Sequence, residues 1–280
     1  MEIFYIIVII LGAAAGSFVN VLVYRIEKNR SFTLSRSICP ACKKRIKWYD
    51  NVPVLSFFYL KGRCRYCKRK ISVQYPLVES LTALIFLIVI YFKAPLEVRN
   101  LEWLFLDRAL LVRIFFFLLY YMAVISILMG VFIIDLKHYI IPNRLVYPGI
   151  IIVLLNNLLV SLFDQTLWLD FFNSAFYLGI LGALISGGFF FLQVYISKEK
   201  WMGWGDVKFG VFMGLLLGFP NILAGLFLAY VLGAFVGLIL LNLKSKKINS
   251  EIPFGPFLCM GTLIALLFAD SLISLYFPFF

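Results

Sequence analysis

The feature that most limits what this chain can become is a succession of apolar runs, most of them roughly 17–25 residues long. That is the length at which a helix crosses a hydrocarbon core of ~30 Å. Eight such runs are read at 3–24, 77–92, 114–134, 145–163, 174–196, 207–218, 222–243 and 257–276, the sixth being short. A water-soluble fold would require long helices that are apolar on every face with nothing to cover them. The residue content agrees: 63% is apolar and 14% charged, against about 45–50% and about 25% in soluble domains. The expected class is therefore an all-α integral membrane protein of about eight transmembrane helices. Within the first run, Gly12-Ala-Ala-Ala-Gly16 offers a face of small residues against which another helix can pack closely.

Charge orients the spans. Segment 25–76 holds fourteen Lys/Arg against two acids, Glu27 and Asp50, so its net charge of +12 equals that of the whole chain. A short, strongly basic loop between spans stays on the cytoplasmic side. Alternation then puts both termini outside and segments 137–144, 197–206 and 244–247 inside, each of which carries basic residues. The stretch around Asp164 and Asp170 has no basic residue and falls outside. The basic loop also suits anionic lipid head groups; no nucleic acid partner is expected, because topology already accounts for the charge. The first run is longer than the 7–15 residues of a signal-peptide core and has no basic segment before it, so it reads as a retained span. The shift in composition near Tyr75 divides the chain into 1–92, two spans with a basic loop, and 93–280, a helical bundle.

That loop contains Cys39-Pro-Ala-Cys42 and Cys64-Arg-Tyr-Cys67, two CxxC pairs separated by 21 residues. Each pair can put two thiolates on one ion, and two pairs complete a tetrahedral, structural zinc site with no open position for catalysis. The flanking Lys43, Lys44, Arg45, Arg63, Arg65, Lys68 and Arg69 favour thiolates and offset their charge. Disulfides do not suit a reducing cytosol, and a redox dithiol needs one CxxC rather than two matched ones. The fifth cysteine, Cys259, lies in the last span and reads as a small apolar residue.

Acids at the ends of apolar spans are costly and mark functional candidates. Asp135 closes the third span and Asp206 opens the sixth, in Gly203-Trp204-Gly205-Asp206-Val207-Lys208. The topology puts both at the cytoplasmic edge. Two nearby carboxylates share a proton, so one can activate water while the other polarises a peptide carbonyl. Gly203 and Gly205 would let the backbone approach a substrate strand and adopt positive φ. The plainer alternatives are that Asp206 caps its helix and that Asp135 pairs with Lys137. Glu79, at the start of the second span, is a weaker candidate, otherwise a cap or a lipid-interface contact. The only histidine is His138, and neither an HExxH nor a Gly-x-Ser-x-Gly motif is present, which excludes a zincin and a serine hydrolase elbow.

Taken in order, these strings resemble the type IV prepilin peptidase family. They are Gly16-Ser-Phe-Val-Asn-Val-Leu-Val-Tyr-Arg25, the two cysteine pairs, Asp50-Asn-Val-Pro-Val-Leu-Ser56, Lys61-Gly-Arg-Cys-Arg-Tyr-Cys67, Ile71-Ser72 and Tyr75-Pro-Leu-Val-Glu79. Further on come Asp135 with Ile141-Pro142-Asn143, then Gly203 to Lys208, and Ile252-Pro-Phe-Gly-Pro-Phe257. The resemblance implies a bacterial inner-membrane aspartyl endopeptidase of the GxGD type that cleaves the leader of type IV prepilins or pseudopilins at the cytoplasmic face. It implies Asp135 and Asp206 as the catalytic pair, with Gly203, Gly205 and Lys208 near the substrate. It also implies a second activity, methylation of the new N-terminus with S-adenosylmethionine, for which no contact residue is legible. One departure is Lys200-Trp201, where the family often carries Glu-Gly.

Two other classes compete. A transporter or export subunit with a structural zinc knuckle would use its acids as a proton relay, but would carry them nearer mid-span. An assembly factor docking partners on its basic loop would tolerate replacement of both aspartates.

Overall fold

A computed structural model of the chain describes residues 2–28, 37–94, 108–163, 170–243 and 252–276. Segment 244–247 and Asp164 lie outside the described residues. The helices are α1 (Glu2–Glu27), a short α2 (Leu55–Tyr59), α3 (Gln74–Lys93), α4 (Arg108–His138), α5 (Asn143–Phe163), α6 (Ala175–Ser197), α7 (Trp204–Leu217), α8 (Asn221–Asn242) and α9 (Gly255–Tyr276). Among the described residues no β-strand forms; two isolated bridges, Ile38 with Arg45 and Arg63 with Lys70, are the only extended pairings.

Seven of these helices are long and apolar enough to cross a membrane, and the chain is a multi-pass membrane protein. All eight expected runs are helical, but α7 is the exception in length. At 14 residues it reaches only ~21 Å at 1.5 Å per residue. It begins after the Gly203 turn and stops at Gly218, whose φ of +68° is left-handed.

Two compact units divide the chain at Gly130 and Val131, within α4. In the first, α1 packs along α3. A Cβ on Gly12 would lie 2.8 Å from Ala83 Cα, and one on Gly16 would lie 2.7 Å from Glu79 Cα. Lipid provides no hydrophobic drive between helices, so backbones must come this close to gain dispersion energy, and only small residues allow it. The expected close-packing face of α1 is thus the one that meets α3.

In the second unit, α7 is held by polar contacts and glycines. A Cβ on Gly182 of α6 would lie 2.5 Å from Gly214 O of α7. The buried Ser186 hydroxyl donates to Gly182 O at 2.8 Å and lies 2.7 Å from Gly210 O. Buried Asn157 of α5 donates to Leu215 O at 2.8 Å, answering one of the carbonyls that a helix end leaves unpaired. These contacts fix the short helix that carries Asp206.

Candidate active site and metal centre

Asp135 sits in the last turns of α4 and is 4% exposed. Its Oδ2 accepts a hydrogen bond from the backbone N–H of Gly255, the first residue of α9, at 2.8 Å. Asp206 lies in the first turn of α7, half-buried. Its Oδ2 accepts from Gly203 N–H at 3.1 Å, and its own N–H donates to Gly203 O at 3.1 Å. Asp206 therefore caps its helix, as the plainer reading expected. Gly205, next to Asp206, packs on Ile141, six residues beyond Asp135, so the fold brings together the segments that carry these two acids, 71 residues apart in sequence. Capping and chemistry do not exclude one another, because a carboxylate has about four lone-pair sites.

The surroundings refine the other expectations. Neither Gly203 nor Gly205 has positive φ; Gly203 is extended at φ −96°. That expectation is corrected, for a physical reason. Gly205 is small because a Cβ there would lie 2.9 Å from Ile141 Cβ, whereas a Cβ on Gly203 would meet nothing nearer than 3.9 Å. Gly205 serves packing, and Gly203 leaves open space. Lys208 Nζ donates to Asn143 Oδ1 at 3.0 Å and lies 5.7 Å from the Tyr147 ring centre. It thus joins α7 to the start of α5 in the Ile141-Pro142-Asn143 segment. His138 is exposed at the end of α4. Glu199, in the loop before α7, accepts the indole N–H of Trp204, the first residue of α7, at 2.8 Å.

Residues without an assigned role in the sequence complete the site. Tyr230 of α8 exchanges hydrogen bonds with the Gln193 amide at 2.9 and 3.0 Å. Its ring lies 5.1 Å from that of Phe254, next to Gly255. Phe254 and Gly255 belong to a string that the sequence marked only by its order. Tyr230 carries no local signal at all.

In the first unit, Cys39, Cys42, Cys64 and Cys67 converge, with their sulfurs within 4.8 Å of one another. The Sγ atoms of Cys39 and Cys67 are 4.0 Å apart. A tetrahedral site with Zn–S of ~2.3 Å requires sulfur separations of about 3.8 Å, so the four thiols are placed to bind one metal ion. The two knuckles repeat each other. Cys39 N–H donates to Lys44 O and Cys64 N–H to Arg69 O, both at 2.9 Å. Lys43 N–H donates to Cys39 O at 2.9 Å and Lys68 N–H to Cys64 O at 3.0 Å. Lys43 and Lys68 hold matching left-handed φ of 57° and 56°. Backbone N–H groups of Cys67 and Tyr66 pull the Cys64 thiol down to about 7, whereas desolvation and the neighbouring Cys39 and Cys67 push Cys42 up to about 11, so the case for a metal rests on the placement of the four sulfurs.

The knuckles border on two acids. Asp50, 9% exposed, receives Arg65 Nε at 2.8 Å and Nη2 at 2.6 Å, and this pair raises the Arg65 guanidinium above its ordinary value. Arg65 is thus committed to Asp50 rather than shared among the thiolates. Glu79 is neither a cap nor a lipid contact. It is 8% exposed and accepts from Val54 N–H at 2.7 Å.

Comparison with known proteins bears on the whole chain. Residues 10–93 match the family model described as the bacterial peptidase A24 N-terminal domain, and residues 122–238 match the type IV leader peptidase family. A prepilin leader peptidase/N-methyltransferase of Legionella pneumophila is 30% identical, with 97% of this chain and 94% of the relative covered. The chain belongs to the type IV leader peptidase family. Proteins of the same description from Aeromonas hydrophila and Bacillus subtilis strain 168 are each 30% identical, covering 93% and 96% of those relatives. No solved structure matches. The leader peptidase segment contains Asp135 and Asp206, and the N-terminal domain contains the four cysteines and Glu79.

Proposed function

We propose that this protein is a membrane aspartyl endopeptidase that removes the leader of type IV prepilins or pseudopilins, and that it also N-methylates the residue exposed by cleavage. The observation that carries the reading is Asp135, buried and hydrogen-bonded to Gly255 at the end of α4, with Ile141 just beyond that helix packed on Gly205 beside Asp206, at the start of a short, glycine-packed helix. Two carboxyls held close together do not both ionise easily, and such a pair would hold one proton between them. The ionised member takes a proton from water as it attacks the scissile carbonyl, and the protonated member gives its proton to the carbonyl oxygen; the tetrahedral adduct then collapses with cleavage of the C–N bond, the first member passing its proton to the leaving nitrogen and the second taking one back from the diol. Gly203, open on its outer side, lines the approach of the substrate backbone, and Lys208 braces α7 beside it.

We assign peptide cleavage to 93–280 and methyl transfer to 1–92. The four cysteines fit a structural zinc ion: their thiolates would fill all four of its ligand positions, so the ion would shape the loop without taking part in cleavage. S-adenosylmethionine would supply an electrophilic methyl group to the first module. The concentration of basic residues in 25–76 supports a cytoplasmic position for that loop, and with it an inner-membrane location with the aspartates at the cytoplasmic edge. The names of the family relatives favour this reading over a transporter or assembly subunit.

The test is conversion of a purified prepilin to its shorter form by the full-length protein in liposomes, followed by mass analysis of the new N-terminus. The expected result is a cleaved product one methyl group heavier when S-adenosylmethionine is present. Full cleavage by Asp135→Asn or Asp206→Asn would reject the catalytic pair.

A further inference from the structure

The first unit contains a partly open cavity of about 590 Å³, within the ~300–1,000 Å³ usual for small-molecule sites. Its wall includes Ser17 and Asn20 of α1, Tyr75 and Glu79 of α3, and Cys39 and Cys64 of the knuckles. Neither the aspartate pair nor the metal centre accounts for it.

Its polar groups ask for a ligand. Asn20 is 4% exposed; its Nδ2 donates to Tyr75 O at 3.1 Å, but its Oδ1 is buried without a hydrogen-bond partner. Such an orphaned acceptor calls for a donor. Glu79 presents a second buried acceptor, held by Val54 N–H at 2.7 Å. Gly16 lets α1 and α3 approach at Glu79.

The bond to Glu79 is obtained through strain. Val54 has φ 60° and ψ −54°, and the N–H of Leu55 bonds to Pro53 O at 2.6 Å. That is a γ-turn of the rare, strained hand, at a β-branched residue for which positive φ is an outlier. Strain of this kind persists where the surroundings over-determine it, typically at ligand sites. Other wall residues are basic: Arg25, Arg69 and Lys70, besides the Arg65 already committed to Asp50. A cavity with two buried acceptors and a basic rim suits a zwitterion bearing an ammonium and a carboxylate, as the amino-acid end of a methyl donor does.

We propose that this cavity is the methyl-donor site, with Asn20 and Glu79 receiving the donor's α-ammonium. The inference rests on the methyltransferase half of the proposed function. Two primary ammonium groups have the right chemistry, that of the donor and that of the freshly exposed pilin N-terminus, and the basic rim favours the donor.

The experiment is equilibrium dialysis of S-adenosylhomocysteine against the full-length protein in nanodiscs, for wild type, Asn20→Leu, Asn20→Asp and Glu79→Gln. Zinc content and prepilin cleavage report the folding of each unit. Asn20→Leu and Glu79→Gln are expected to weaken binding about tenfold or more, as loss of a charge-assisted hydrogen bond does, with zinc and cleavage unchanged. Asn20→Asp keeps an acceptor and is expected to retain binding. Equal affinity of all four proteins overturns the inference and leaves the methyltransferase reading standing. A wild type that cleaves and holds zinc but does not bind overturns both. A second arm measures binding of a mature-pilin peptide, free or acetylated at its N-terminus. If the variants bind S-adenosylhomocysteine normally and lose only the free-amine peptide, the acceptors serve the substrate amine and the donor assignment falls.

Discussion

Gly255 stands against Asp135 with no room for a side chain: its N–H donates to Oδ2 at 2.8 Å, and a Cβ on Gly255 would lie 2.6 Å from that same oxygen. The start of α9 thereby sets the position of the carboxyl at the end of α4. Replacing Gly255 by alanine must push Asp135 away or turn the N–H from it. Misplacement of a catalytic group by about 1 Å can cost ~10²-fold in rate. Gly255→Ala is therefore expected to lose prepilin cleavage on that order while still inserting and binding zinc. Cleavage at the wild-type rate would show that this contact does not position the carboxyl.

The aspartates are expected to act as one unit. Asp135→Asn and Asp206→Asn should each lower cleavage by ~10²–10⁴-fold, the range of a lost general acid or base. The double substitution should then be hardly worse than either single one. Single-turnover cleavage of a prepilin by the three variants measures this. Multiplying losses would mean independent roles and no shared proton.

Metal and peptidase activity are expected to separate. Wild-type protein should carry about one zinc per chain, and Cys42→Ser should lose it because a closed site needs all four ligands. Prepilin cleavage should persist, since the metal lies outside the peptidase unit. Elemental analysis and the cleavage assay on the same sample decide the matter. Undiminished zinc in Cys42→Ser would remove the tetrathiolate assignment.

Gly16→Leu tests the packing of α1 on α3. With Glu79 Cα only 2.7 Å and Thr82 Cβ 3.1 Å from a new Cβ, overpacking should cost ~1–3 kcal/mol. The expected readouts are a lower unfolding temperature and faster proteolysis of the basic loop. Unchanged stability would mean that the helices meet elsewhere.

Orientation has a direct chemical test. In intact cells treated with a chelator, a membrane-impermeant thiol reagent should fail to reach the exposed Cys67, and should reach it once the membrane is opened. Labelling in intact cells would put the basic loop on the outer side, against the charge rule.

What the sequence determined by itself is local or compositional. Apolar run length is a one-dimensional property, so the helices were legible, as was the brevity of α7. The four cysteines were legible because spacing within each CxxC limits where its two sulfurs can go. Asp135 and Asp206 stood out because acids at the ends of apolar spans are rare. Tertiary structure decided the rest. Helices that are apolar all round carry no stripe that names their neighbours, so nothing local shows that Gly16 admits Glu79 or that Gly182 meets Gly214. Nothing local shows that Gly205 packs on Ile141, 64 positions away. Nothing near Glu79 in sequence shows that its carboxyl receives the N–H of Val54, 25 positions earlier. The contact of Gly255 with Asp135 joins residues 120 apart. Such pairings depend on how closely two helix backbones approach. That distance is set by small residues and buried hydrogen bonds acting between segments, which no run of residues records.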